Sequence, residues 1–205
     1  MTRMDGNRMG EMQSVCVFCG SAEDADPAYL RSAAHLGRAL AQARLTLIYG
    51  GGGVGLMGAC ARAAHEAGGR VLGLIPEFLV APERALEIVE HVVVESMHDR
   101  KMRMFEQSDA FVALPGGIGT LEEIVEILSW RRLDLHSKPV VFYNREGFWQ
   151  PLFDLFQHTV DAGLTPPEFM QAWIAVDRVE DIVPALQGAN YEAEPPPLPL
   201  SRTFS

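Results

Sequence analysis

The sequence is short of lysine, of cysteine and of long apolar runs, and each shortage removes a class of protein. Its only lysines are Lys101 and Lys138, and neither follows a glycine, so the Gly-Lys-Ser/Thr phosphate loop of nucleoside triphosphatases is missing. Kinase and ATPase readings fall with it. Three cysteines are too few, and odd in number, for a disulfide framework, which predicts reduced thiols in a reducing compartment. No apolar run approaches the roughly 20 residues that cross a bilayer, and the polar stretch Met1 to Gln13 lacks the apolar centre of a secretory signal. Seventeen basic residues against 27 acidic give a formal net charge of −10, so the surface as a whole draws neither nucleic acid nor an anionic membrane. The expectation is a cytoplasmic protein without nucleic-acid or membrane partners, in which a phosphorylated ligand must be held locally.

What is present is material for a core. A chain of 205 residues that is 48% hydrophobic is too apolar to stay disordered and long enough for one domain. Short apolar runs alternate with stretches of helical period. Ser14 to Gly20, Leu45 to Tyr49, Arg70 to Ile75, Val92 to Val94, Ala110 to Leu114, Val140 to Tyr143 and Ala175-Val176 read as strands. Helices are predicted near Pro27 to Ala43, Gly55 to Ala67, Met97 to Gln107, Thr120 to Arg132, Phe148 to Asp161 and Val179 to Leu186. Continuously apolar strands indicate a sheet covered on both faces, and their alternation with helices indicates βαβ units. The predicted fold is α/β: a Rossmann-like, doubly wound, mostly parallel sheet of about six to seven strands with helices on both faces. The predicted organisation is a polar flexible leader (1–13), one domain (14–187) and a proline-rich extended tail (188–205).

Ligands of open α/β sheets bind beyond the carboxyl ends of the strands. Two glycine runs follow predicted strands there: Gly50-Gly51-Gly52-Gly53-Val54-Gly55-Leu56-Met57-Gly58, and Pro115-Gly116-Gly117-Ile118-Gly119-Thr120. Each opens into a helix, where bare backbone N–H groups and the helix dipole suit an anion. The pair suggests a nucleotide or a sugar phosphate; tight turns and helix–strand packing are the alternative. Gly53-x-Gly55-x-x-Gly58 also fits the dinucleotide fingerprint, with Glu77 near the end of the next strand, but it follows the second strand rather than the first.

Arg100 and Lys101 begin a helix on the same sheet edge, where cations oppose the helix dipole; this local cost suggests a use such as neutralising phosphate. A solvated basic turn paired with Asp99 or Glu106 is the alternative. Leu121, Ile124, Val125 and Leu128 form the apolar stripe of the following helix and leave Glu122, Glu123 and Glu126 on its other side. Thr120 and Glu123 have the spacing of a capping box, a structural role that can coexist with a carboxylate beside a bound sugar.

The run Ser96-Met97-His98-Asp99-Arg100-Lys101, with Leu114-Pro115-Gly116-Gly117-Ile118-Gly119-Thr120-Leu121-Glu122-Glu123, resembles the LOG (Lonely Guy) family of cytokinin riboside 5′-monophosphate phosphoribohydrolases, also known by the older label of lysine decarboxylases. The likeness extends through Phe18-Cys19-Gly20-Ser21, Tyr49 to Gly58, Trp130, His136 to Pro139 and Gly147-Phe148. It implies hydrolysis of the N-glycosidic bond of AMP or of N6-modified, cytokinin-type adenosine 5′-monophosphates, giving the free base and ribose 5-phosphate. It places the catalytic residues on Arg100 and Glu123. It implies substrate contacts by Lys101, Gly117, Ile118, Gly119, Thr120, Glu122, Glu83 and Ser129, to which the strand-end loops add Ser21, Gly53, Met97 and Gly116 as candidates. No metal and no cofactor is implied, and a homodimer or larger homo-oligomer is expected.

The chemistry is consistent with those residues. As the base departs the ribosyl anomeric carbon becomes oxocarbenium-like, and a fixed carboxylate beside it favours the transition state over the ground state. Decarboxylation by pyridoxal needs a Schiff-base lysine with a partner for the pyridine nitrogen, and nothing beside Lys101 or Lys138 marks one. A nucleotide-sensing module without turnover and, further off, a nicotinamide-dependent oxidoreductase are the rival readings. Cys16-x-x-Cys19 has redox spacing, but residues three apart on a strand face opposite ways, so buried inert thiols are expected.

Overall fold

The computed structural model describes residues 12–189. The leader and tail predicted from the sequence fall almost wholly outside the described residues. The first strand, β1 (Ser14–Phe18), is buried at every position, and its alternating side chains feed two separate cores. Val15 and Val17 point to one face and Cys16 and Phe18 to the other. The remaining strands are β2 (Thr46–Tyr49), β3 (Val71–Pro76), β4 (Glu90–Val94), β5 (Ala110–Ala113), β6 (Val140–Tyr143) and β7 (Ile174–Val176). They form one seven-stranded sheet in the order β4-β3-β2-β1-β5-β6-β7, and every pairing is parallel. This is the predicted Rossmann-like fold.

The helices are α1 (Pro27–Gln42), α2 (Gly55–Glu66), α3 (Met97–Glu106), α4 (Ile118–Arg132), α5 (Gln150–Asp161) and α6 (Ile182–Gly188). Asp26 starts α1 by accepting a 2.7 Å bond from the Ala28 N–H, with Pro27 preset for the first turn. Leu36 and Leu40 of α1, Cys60 and Ala64 of α2, and Ile182 and Leu186 of α6 cover one face of the sheet. Met104 of α3, Ile124 and Leu128 of α4 and Phe153 of α5 cover the other. The chain runs outward from β1 to β4, then returns to lay β5 on the other flank of β1, so the strand order reverses between β1 and β5. The crevice at their carboxyl ends is where such a sheet takes ligands.

Helix α4 departs from the sequence reading in a way that matters for the site. It begins at Ile118, two residues before the predicted start, with Gly117 as its N-cap and the Leu121 N–H bonded to the Gly117 carbonyl at 3.0 Å. Thr120 therefore lies inside the first turn, and the capping box is not formed. Its buried side chain packs under Gly116 instead, where a Cβ would come within 2.1 Å of the Thr120 hydroxyl. The apolar stripe also shifts: Ile127 is buried, whereas Val125 is exposed. No helix among the described residues is long and apolar enough to cross a membrane.

Candidate active site

The reversal point is bolted together by backbone. Leu114 N–H donates to the Phe18 carbonyl at 3.0 Å and Gly20 N–H to the Pro115 carbonyl at 3.1 Å, which brings Gly20 against Gly116, while Ser21, next in the chain, backs onto Gly55. The two glycine runs then behave differently. The Gly20 carbonyl accepts from both Leu56 and Met57, the second and third residues of α2, at 2.9 and 3.3 Å, while Gly53 N–H donates to the Glu83 carbonyl at 2.9 Å. Gly53 is buried and its own carbonyl takes a 2.9 Å bond from Arg62. Gly53 thus reaches the site as scaffold, with no amide left to donate to an anion. By contrast, the N–H groups of Ile118, Gly119 and Thr120 have no acceptor among the described residues, as expected of the first turn of a helix. A Cβ at Gly117 or Gly119 would meet nothing within 4 Å, so the fold itself does not require glycine there. Space and free donors coincide at this one helix mouth.

Arg100 and Glu123 meet beside it. Arg100 Nη1 lies 3.1 Å from Glu123 Oε1, and the two side chains are only 8% and 11% exposed, so neither is a surface charge. The guanidinium is fixed from its other edges: Nε donates to the Leu74 carbonyl at 3.0 Å and Nη2 to the Gly50 carbonyl at 3.4 Å. A Cβ on Gly50 would stand 2.0 Å from Arg100 Nη2, so glycine here leaves the guanidinium its place. Burial pushes the Glu123 carboxyl up, opposed by the Arg100 charge, from 4.5 to about 7.

The neighbouring basic residue is also paired. Lys101 Nζ bridges Glu122 and, at 3.0 Å, Glu126, so two adjacent cations of α3 answer three carboxylates of α4. Those contacts replace the solvated turn weighed from the sequence; Asp99 instead pairs with Arg103 at 2.9 Å. Glu83 Oε2 is buried without a hydrogen-bond partner and lies 3.0 Å from where a Cβ on Gly52 would stand, so an unsatisfied acceptor faces the glycine run. Met97, the first residue of α3, is 37% exposed. Ser129 is not brought in: it stands eleven residues beyond Ile118 on α4, about 16 Å along the axis.

Sequence reasoning placed Gly50 and Met57 in the glycine run but missed their packing beside Arg100, with the Met57 sulfur 3.2 Å from the Gly50 Cβ position, and missed the Leu74 carbonyl. A glycine closing a strand was the one available signal; a backbone acceptor carries none. The thiols are as expected: Cys16 and Cys19 are buried on opposite faces of the sheet, and burial pushes all three cysteines up, Cys60 to about 12. Among the described residues no group of three or more His, Cys, Asp or Glu side chains is placed to hold a metal ion.

The fold and the site define a Rossmann-like α/β protein with a buried arginine–carboxylate pair at an open helix mouth. Residues 57–186 match the family described as "Possible lysine decarboxylase". The chain is 41% identical to the cytokinin riboside 5′-monophosphate phosphoribohydrolase LOG7 of Arabidopsis thaliana, over 88% of this chain and 82% of the relative. It is 41% identical to LOG5 of the same plant, over 84% and 76%. The chain belongs to the LOG family. A solved structure, the molybdenum cofactor carrier protein of Chlamydomonas reinhardtii, superposes with a TM-score of 0.65 at 24% identity, covering 86% of this chain and 96% of that one, and shows the shared fold.

Proposed function

We propose that this chain hydrolyses the N-glycosidic bond of AMP or of an N6-modified adenosine 5′-monophosphate, releasing the free base and ribose 5-phosphate. The observation that carries the reading is the Arg100–Glu123 pair, buried beside the unoccupied donors of α4. The Ile118, Gly119 and Thr120 amides and the positive end of α4 hold the 5′-phosphate, with Lys101 exchanging a carboxylate for it. That grip fixes the ribose, whose hydroxyls satisfy the orphaned Glu83 oxygen. Glu123 then faces the anomeric carbon. Water adds to that carbon as its bond to the base nitrogen breaks; the electron pair leaves with the base, and a water proton ends on the base. The Glu123 carboxylate stabilises the positive charge that develops and orients the water.

Arg100 holds the carboxylate rather than the phosphate, because three of its donors already have acceptors inside the protein. A homodimer or larger assembly in the cytoplasm belongs to the same reading; the assembly is supported by the exposed apolar Val125 of α4 and Leu133 at its C-cap, and light scattering tests it. Incubation with AMP and with isopentenyl-AMP, followed by chromatography for free base, tests the activity. Binding without base release from either substrate overturns it in favour of a nucleotide-sensing module.

A further inference from the structure

A second cavity, of about 280 Å³, opens at the carboxyl ends of β6 and β7 on the α1 and α6 side of the sheet, the face away from Arg100 and Glu123. Three separate parts of the chain deliver arginines to it: Arg31 from α1, Arg145 from the turn after β6 and Arg178 from the segment after β7. In a chain of net charge −10, three guanidinium groups around one hollow repel each other and need a reason.

Local acids account for part of it. Glu180 lies 3.6 Å from Arg178 and 3.5 Å from His35, and Arg145 lies 3.1 Å from Glu146. Arg31 has no acidic partner among the described residues, and the lining holds three arginines against two carboxylates, Asp177 and Glu180. The floor is built. The buried hydroxyls of Ser32 and Tyr143 are 2.9 Å apart, and Ser32 also donates to the Ala28 carbonyl at 3.1 Å. Arg145 and Tyr143 line the same hollow. Glu146, next in the chain, adopts a left-handed conformation (φ 54°), a backbone cost at the turn that presents Arg145.

We propose that this cavity is a second anion site, distinct from the α4 mouth, that takes a phosphate monoester of a small molecule. Guanidinium groups grip tetrahedral oxyanions bidentately, and a hollow of this size admits a small phosphorylated molecule. The inference does not rest on the proposed hydrolysis, and its test does not use it.

The test is an amide-resolved NMR titration of the full chain with inorganic phosphate, with ribose 5-phosphate, and with sodium chloride at matched ionic strength. Saturable shifts at Ser32, Tyr143, Arg145 and Asp177 with either phosphate compound, absent in chloride, support the site; saturation with ribose 5-phosphate alone assigns it to the ester. In Arg31→Ala/Arg178→Ala the apparent dissociation constant at these amides rises at least ~10-fold, while shifts at Gly117 to Thr120 are unaltered. Absence of saturation, equal shifts in chloride, or unchanged affinity in the double variant overturns the proposal.

Discussion

Arg100 and Glu123, on adjacent helices of the same sheet face, share one buried ion pair with 3.1 Å between Nη1 and Oε1, and among the described residues the arginine's other hydrogen bonds go to backbone carbonyls. The carboxylate is therefore set by a part that cannot swing away. Its charge state is set by burial working against that arginine, and this makes pH the first probe.

Glu123 titrates near 7 in the folded protein against 4.5 without burial. Because the folded value is the higher one, the stabilising proton is held fully below about 4.5 and lost as pH rises through about 7. Glu123→Gln carries no such proton, so its stability relative to the parent should improve between pH 5 and pH 8, read by denaturant unfolding at both. Base release should fall by about 10²-fold or more in the same variant, and the parent's kcat/KM should rise with pH through about 7. A variant that keeps most of its activity removes Glu123 from catalysis.

Gly50→Ala should act on the site without touching substrate. The new Cβ would collide with Arg100 Nη2, so activity should drop towards that of Arg100→Lys, which cannot span the same acceptors. Circular dichroism should show a folded protein. Arg100→Ala leaves a buried carboxylate unpaired and should cost about 3–5 kcal/mol above pH 7, with part recovered in the double variant with Glu123→Gln.

Gly119→Ala separates fold from function at the helix mouth. Nothing lies within 4 Å of the added methyl, and alanine favours a helix. Stability should hold or rise by about 0.5–1 kcal/mol. Activity should fall, with KM for the monophosphate rising, because the methyl enters the space beside the free amides. Full activity would show that this mouth does not take the phosphate.

How much of this was legible beforehand follows from what each residue touches. Strand runs such as Ala110 to Leu114 announce themselves because a sheet covered on both faces admits only apolar side chains. The Pro115 to Thr120 run was visible as a motif, and the family resemblance pointed to Arg100 and Glu123. The pairing of Arg100-Lys101 with the acids of α4 was not, because it is made across 20 or so residues of intervening chain and only the fold closes that gap. The start of α4 was misplaced for a local reason: Thr120 and Glu123 imitate a cap, while a glycine, Gly117, provides the real one.

A pH effect of opposite origin is expected at His136. Its Nε2 faces the Ile127 carbonyl at 3.0 Å and its Nδ1 accepts the Lys138 N–H at 3.2 Å, which fixes a neutral tautomer. Burial lowers it from 6.5 to about 4. Here the folded value is the lower one, so stability is intact above about 6.5 and is lost as pH falls towards about 4. An NMR titration should find this imidazole uncharged at pH 5.5; a protonated ring there would contradict the assignment.

The carbonyl of Gly20 has a consequence for the dinucleotide fingerprint at Gly53 to Gly58. By occupying the Leu56 and Met57 amides it withdraws two first-turn donors of α2 from any pyrophosphate docked there. The letters of a nicotinamide-cofactor motif are spelled out at the start of α2, yet a single oxygen from beyond β1 has already answered two of its amides.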